Sequence, residues 1–298
     1  MRMSNKNKLN ITAYGGGLAF FSAISIFVII TFLGQTIFGL IFEPQSVEYI
    51  AICSTFSAIA FVVVSGYYGT KVKNPFENLF SINKFNPIYL LFALVLSAGM
   101  FFGLGFINTA FVELLKSIGI TPSSAVVPLD SVGNLILFSI ILALIPAVFE
   151  ELFFRGVLLS SFSKVKTLIA VLIVGGCFAL YHCSLAQLIY QFIYGVLLCL
   201  LVKAAKSVIP AVISHFINNF AVILLEYFRV QIDLFNPIII ACGIALLVVF
   251  TFFTLLILKK QPKTDYKKGE VKDFFLPCGI FGMAICLVLT LSVIFVGA

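Results

Sequence analysis

The sequence contains few charged residues and no tryptophan. Only 10% of its 298 residues are charged and 61% are hydrophobic, with a mean hydropathy of +1.17. Ordinary soluble domains carry about 25% charged residues, so a soluble globular fold is excluded. Apolar and polar residues do not alternate over segments of about ten residues, which excludes a transmembrane β-barrel. The composition predicts an all-α fold, a polytopic transmembrane helical bundle.

Several other signals are absent. The basic residues form short clusters between apolar runs, which is unlike the continuous basic face of a nucleic-acid-binding protein. The seven cysteines form no C-x-x-C pair and lie mostly in apolar runs, so we expect free thiols. An apolar stretch of about thirty residues follows Arg2, Lys6 and Lys8, longer than the core of a cleavable signal peptide. We expect the first span to stay in the membrane, with lipid as a partner and no nucleic acid.

Uncharged stretches of about 17–25 residues predict the membrane spans. There are eight or nine of them, and the two shortest are separated by so few residues that they form either a tight helical hairpin or a partly re-entrant pair. The candidates lie near 13–42, 49–69, 87–111, 132–163, 167–183, 185–202, 207–225, 237–258 and 276–297.

The basic residues are distributed unequally between the two sides of these spans. If the amino terminus is cytoplasmic, sixteen Lys and Arg residues lie in inner segments, and the outer segments hold only Lys116 and Arg229. The positive-inside rule then predicts a multi-pass protein of the cell membrane with a cytoplasmic amino terminus. The longest polar segment, 259–273, is interpreted as a solvated basic cytoplasmic loop, with a lipid-headgroup contact as the alternative.

Three ionisable side chains interrupt the fourth span. Each of Glu150, Glu151 and Arg155 costs roughly 2.5–3.5 kcal/mol at the centre of a membrane helix, so such residues face the bundle interior and indicate function. Glu151 and Arg155 are four residues apart, which predicts an ion pair on one helix face. Glu150 points about 100° away and stays available for chemistry. In the alternative reading the helix ends at Phe149 and the charges lie at the surface.

The only two histidines of the chain also lie in predicted spans. His182 follows Phe178 by four residues, and His215 precedes Asn219 by four, so each pair shares a helix face. Counted at about 1.5 Å per residue from the nearest lysine, His182 is roughly as deep as Glu150 and His215 is shallower. Buried polar groups need partners, and these groups can serve one another. A purely structural polar cluster is the alternative.

An acid, two imidazoles and an amide in one cavity can hydrolyse a peptide bond with activated water. In one version Glu150 takes the proton from water and returns it to the leaving amine, His182 orients the water, and His215 with Asn219 stabilises the oxyanion. In a second version Glu150, His182 and His215 hold a zinc ion that acidifies its water. The sequence leaves both versions open, and it has no H-E-x-x-H motif.

Three motifs in order resemble one known family. They are E-E-x-x-x-R at Glu150, Glu151 and Arg155, F-x-x-x-H at Phe178 and His182, and H-x-x-x-N at His215 and Asn219. Together they are similar to the CPBP family, which comprises type II CAAX prenyl endopeptidases and bacteriocin-processing (Abi) proteins.

The resemblance implies an α-helical intramembrane endopeptidase, glutamate-type or metal-dependent. Glu150 would be its acid/base, His182 its water-activating partner, and His215 with Asn219 its oxyanion donors. It divides the chain into an N-terminal transmembrane region at 1–131, a catalytic core at 132–225 and C-terminal helices at 226–298. By analogy, the substrate is a membrane-associated peptide or precursor protein. A non-proteolytic immunity or regulatory scaffold and a proton-coupled transporter are the alternative functions.

Overall fold

Helices account for all the regular structure in the part of the chain that is described. The computed structural model describes residues 11–120, 127–261 and 269–296. Eight of its helices are long and apolar enough to cross a membrane, which confirms the predicted polytopic bundle. With one shorter apolar helix, they are α1 (Ala13–Phe38), α2 (Val47–Gly69), α3 (Ile88–Ser117), α4 (Val132–Ser161), α5 (Thr167–Tyr181), α6 (Leu188–Ala205), α7 (Ile209–Tyr227), α8 (Pro237–Lys259) and α9 (Glu270–Ser292).

Helix α4 continues without a break through its three charged residues. Two segments of π-helix, Ser139–Leu144 and Leu152–Leu158, flank the α-helical turns Ile145–Glu151. The alternative reading, in which the helix ends at Phe149, is therefore wrong. The first π segment lies directly before Pro146, which has no N–H for a hydrogen bond within the helix. Single π turns of this kind often occur at functional sites because they change the direction of the following side chains.

Helices α5 and α6 form the predicted tight hairpin. Helix α5 has 15 residues, a length of about 22 Å, and is too short for a hydrocarbon core of about 30 Å. The two helices approach each other closely at Gly175 and Gly195, where an added methyl group on either residue would contact the backbone of the other helix. This close crossing holds the end of α5, and with it His182, against the neighbouring helices.

The ends of several helices differ from the predicted spans. Helix α9 begins at Glu270 rather than near 276, so the last residues of the predicted loop 259–273 are helical. Residues 262–268 of that loop lie outside the described residues. A charged residue at a helix end does not stop the backbone hydrogen-bond pattern, although it does end an apolar run. All seven cysteines are free thiols, as predicted.

Candidate functional site

A buried ion pair links α4 to the histidine of α7. Arg155 Nη1 donates to Glu151 Oε1 at 2.7 Å, as the spacing predicts, and neither side chain is exposed to solvent. The same Glu151 oxygen lies 2.9 Å from His215 Nδ1, a contact that sequence spacing does not indicate. Arg155 Nη2 also donates to the carbonyl of Gly195, which the glycine crossing leaves accessible. Glu151 therefore neutralises the arginine and orients the imidazole.

Glu150 occupies a different environment from its neighbour. Its Oε1 accepts a hydrogen bond from the hydroxyl of Tyr181 at 3.2 Å. Its Oε2 is buried and has no hydrogen-bond partner among the described residues, and His215 Nε2 lies 3.9 Å from it. A buried carboxylate oxygen without a partner is costly, and such an atom is often found where a ligand or a water binds. Glu150 thus has one oxygen held by Tyr181 and one that is free to accept a hydrogen bond.

His182 lies at the end of α5 with one ring nitrogen engaged. Its Nδ1 is 2.7 Å from the carbonyl oxygen of Phe178, and because a carbonyl only accepts, Nδ1 carries the proton. In the neutral ring Nε2 is then an acceptor. The Phe178 ring meets both imidazoles edge-on, with centroids 4.8 Å from His182 and 5.8 Å from His215. Its face receives the Arg155 guanidinium at 4.4 Å, so this ring joins the ion pair to both imidazoles.

Two adjacent asparagines on α7 follow His215 in the site. Asn219 Nδ2 donates to the carbonyl of Leu142 at 3.3 Å, the group that would receive an α-helical hydrogen bond from residue 146 if that residue were not proline. Asn218 is buried, and its Oδ1 accepts a hydrogen bond from Tyr190 at 2.7 Å. The Asn218 amide hydrogens stay available, whereas one hydrogen of Asn219 holds α7 against the π segment of α4.

Hydroxyl groups support His215 from behind. Ser214 lies 2.9 Å from the hydroxyl of Ser97 on α3 and 3.2 Å from that of Tyr194 on α6. All three side chains are buried. Each satisfies a polar group that would otherwise be unpaired inside the bundle, and together they join α3, α6 and α7. The backbone that carries His215 is therefore fixed from two directions.

One cavity of about 760 Å³ is lined by Glu150, by both histidines, and by Tyr190, Asn218 and Asn219. Pockets of about 300–1,000 Å³ are typical of ligand sites in proteins. Glu151 and Arg155 are not part of its wall. The polar residues of the wall are Asn108, Thr109, Glu150, His182, Gln187, Tyr190, Gln191, His215, Asn218, Asn219 and Glu226.

The structure brings together the four predicted reactive side chains, since Glu150, His182, His215 and Asn219 line the same cavity. The shallower depth predicted for His215 does not separate it from the acids. The depth of His215 is counted from Lys206, as if the turn before α7 lay at the surface of the bundle. That turn is buried, and the Val208 amide donates a hydrogen bond to a backbone carbonyl.

Sequence reasoning missed the residues that orient these groups. Tyr181 bonds to Glu150, the Tyr194 ring meets that of His215 edge-on, and Tyr190 bonds to Asn218, the residue before Asn219. A hydroxyl or amide inside a membrane span needs a partner, so tyrosines next to the motifs were a usable signal. Asn218 was hidden because Asn219 alone completes the H-x-x-x-N spacing.

A zinc ion is the alternative that the sequence leaves open for this site. Among the described residues, no three His, Cys, Asp or Glu side chains are placed to hold one metal ion. The predicted ligands Glu150, His182 and His215 line the same cavity, and 3.9 Å separates Glu150 Oε2 from His215 Nε2, so the zinc version stays a prediction.

One segment of the chain matches a known protein family. Residues 132–221 match the family model described as type II CAAX prenyl endopeptidase Rce1-like, and these residues span all three motifs. The match covers less than a third of the chain and confirms the resemblance that the motifs predict. At the level of the family, it supports a membrane protease of the CAAX type. A search of curated proteins finds no match to the chain.

Proposed function

We propose that the protein is an intramembrane endopeptidase that hydrolyses a peptide bond of a membrane-associated peptide or precursor with activated water. The observation that carries this proposal is the buried Glu150 Oε2, which lacks a partner and belongs to the same cavity wall as two imidazoles and two amides. Those are the groups that proton transfer and oxyanion stabilisation require. Glu151 Oε2 and Arg155 Nε are also buried without a partner, but neither residue belongs to the cavity wall, whereas Glu150 combines an unpaired oxygen with a place in that wall.

Each group has a role that its contacts favour. The Glu150 carboxylate takes a proton from a water molecule while the water oxygen attacks the scissile carbonyl. The neutral His182, with Nδ1–H on the Phe178 carbonyl, accepts a hydrogen bond from the same water through Nε2. The proton on Glu150 then passes to the amide nitrogen as the C–N bond breaks, so an acid and an amine are released.

The oxyanion of the tetrahedral intermediate needs donors on the opposite side of the scissile carbon. Glu151 Oε1 accepts a hydrogen bond from His215 Nδ1, and in the imidazolium form of this ring Nε2–H is a further donor. The amides of Asn218 and Asn219 are further donors in the same wall. Donors that are already oriented cost no reorganisation when the charge develops.

The direct test is cleavage by the purified protein. Detergent-solubilised protein is incubated with a pool of synthetic peptides, each with an apolar segment flanked by polar tails, and the products are identified by mass spectrometry. We expect a defined internal cleavage that is lost in the His182→Ala variant with unchanged thermal unfolding. If the variant and the wild type give the same products at the same rate, the proposal is wrong.

The Asn218 amide gives a separate prediction. Removing one oxyanion donor costs about 100- to 1,000-fold in kcat in enzymes of other folds. We expect Asn218→Ala to lower kcat by about 100-fold with little change in KM, and Tyr190→Phe to lower it less, since the tyrosine acts only by orienting Asn218. Asn134→Ala is the control, because Asn134 bonds to Asp130 outside the cavity. Unchanged kcat in Asn218→Ala contradicts the assignment.

A further inference from the structure

The basic residues of the described chain gather at one end of the helix bundle. Contacts between segments far apart in sequence define this end: Val208 N–H to Ser81 O, the Tyr89 hydroxyl to Ala204 O, and Gln261 to Lys203 O. Lysines at the same end are Lys71, Lys73, Lys84, Lys164, Lys166, Lys203, Lys206, Lys259, Lys260 and Lys272. We refer to this end as the lysine end.

The cavity opens towards the opposite end. Its wall includes Thr109 in the last turns of α3, Gln187 before α6, Glu226 at the end of α7 and Leu234 in the following loop. All of these positions lie in or beside the ends of their helices that point away from the lysine end. This cavity end carries only Lys116 and Arg229 as bases, against the acids Glu43, Glu48, Glu113, Asp130, Glu226 and Asp233.

The charge of the cavity wall has one sign. Glu226 is exposed at its rim and Glu150 is buried at its base, while none of the described residues in the wall is a lysine or an arginine. The wall also offers hydrogen bonds to an extended chain. Asn108 Oδ1 is buried without a partner among the described residues, and a peptide unwound inside a membrane must satisfy its own N–H groups. A peptide with a basic flank fits these features.

We infer that the substrate enters from the outer face of the membrane and carries a basic segment beside the cleaved bond. This inference rests on the proposed function and adds the direction of entry and the substrate class. The lysine end marks the cytoplasmic side by the positive-inside rule, so the cavity faces outward. The basic segment is attracted by Glu226 at the rim of the cavity, and the apolar segment is in lipid.

The direction of entry is tested without any activity measurement. Gln187→Cys places a thiol in the cavity wall, and Lys164→Cys places one at the lysine end. We expect a membrane-impermeant maleimide to label Gln187→Cys in intact cells above the wild-type background, and Lys164→Cys only after permeabilisation. If Lys164→Cys is labelled in intact cells and Gln187→Cys only after permeabilisation, the cavity does not open to the outer face, whether or not the protein is a protease.

The substrate class is tested with two matched peptide pools in detergent. The pools share their apolar segments and differ only in a flank of four lysines or four glutamates. Two unit charges about 4 Å apart in water change an equilibrium about fivefold, so we expect a lysine preference in kcat/KM that falls threefold to fivefold in Glu226→Gln. Glu113→Gln is the control, since this exposed acid pairs with Lys116 and is not in the wall.

The outcomes separate the two proposals. A ratio of kcat/KM that is equal in the wild type and Glu226→Gln overturns the basic-substrate inference and leaves the protease assignment standing. A pool that is not cleaved with either flank overturns the proposed protease function and the substrate class with it, while the labelling result still decides the direction in which the cavity opens.

Discussion

Replacing Glu150 by glutamine is expected to lower the rate of peptide hydrolysis by about 100- to 10,000-fold. Glutamine has nearly the same shape, and its amide oxygen can still accept the hydrogen bond from Tyr181, yet it cannot take a proton from water or return one to the leaving amine. The substitution also removes a buried ionisable group, so we expect no loss of stability. Single-turnover cleavage of the synthetic peptide pool measures the rate.

The matched control for this variant is Glu43→Gln, the same substitution at an exposed acid outside the cavity. It should cleave at the wild-type rate. Cleavage by Glu150→Gln at that same rate would remove the acid/base role. If the Glu150→Gln protein also restores the phenotype of cells that lack the gene, a scaffold function is favoured over hydrolysis.

Replacing Arg155 by methionine is expected to destabilise the protein by about 3–5 kcal/mol. Methionine retains most of the side-chain volume, so the main effect is electrostatic. The Glu151 carboxylate stays buried with His215 as its remaining partner, and the Gly195 carbonyl loses its donor. A buried charge that has lost its partner destabilises the fold by more than the intact ion pair stabilises it.

A second variant separates the charge from the packing. Glu151→Gln combined with Arg155→Met leaves no buried charge in the pair, so the double variant should be more stable than Arg155→Met alone. The difference between the double variant and the sum of the single variants gives the coupling energy. If all three variants unfold like the wild type, the ion pair does not hold α4 in place.

The protein offers a convenient reporter for this measurement. Cys177 and Cys199 are buried free thiols, so their reaction with a fluorogenic maleimide follows unfolding once the exposed or partly exposed Cys53, Cys183, Cys242 and Cys278 are replaced by serine. Lys116→Met is the control, because the exposed Lys116–Glu113 pair should contribute under about 1 kcal/mol.

The family match covers only part of the cavity wall. It spans 132–221 and supports a CAAX-type protease at family level, whereas Asn108, Glu226 and Leu234 of the wall lie outside that segment. Helices outside the matched segment therefore form part of the rim. Substrate choice is expected to depend on those helices, as the Glu226→Gln test examines.

Local sequence determined the helices and the pairs within them. Long uncharged runs predicted the membrane spans because a helix that crosses lipid must satisfy its backbone internally and expose apolar side chains. The four-residue spacing predicted the Glu151–Arg155 ion pair because residues four apart on a helix are neighbours. Glu150 and the two histidines within apolar runs also predicted which side chains meet in the cavity.

Tertiary structure decided how those helices meet. The contact of His215 with Glu151, the orientation of Asn218 by Tyr190, and the bond from Asn219 to the Leu142 carbonyl all join separate helices. The wall of the cavity also depends on the packing of α3, α4, α6 and α7. Periodicity along one helix carries no information on the rotation or depth of its neighbour, because packed side chains and buried turns set both.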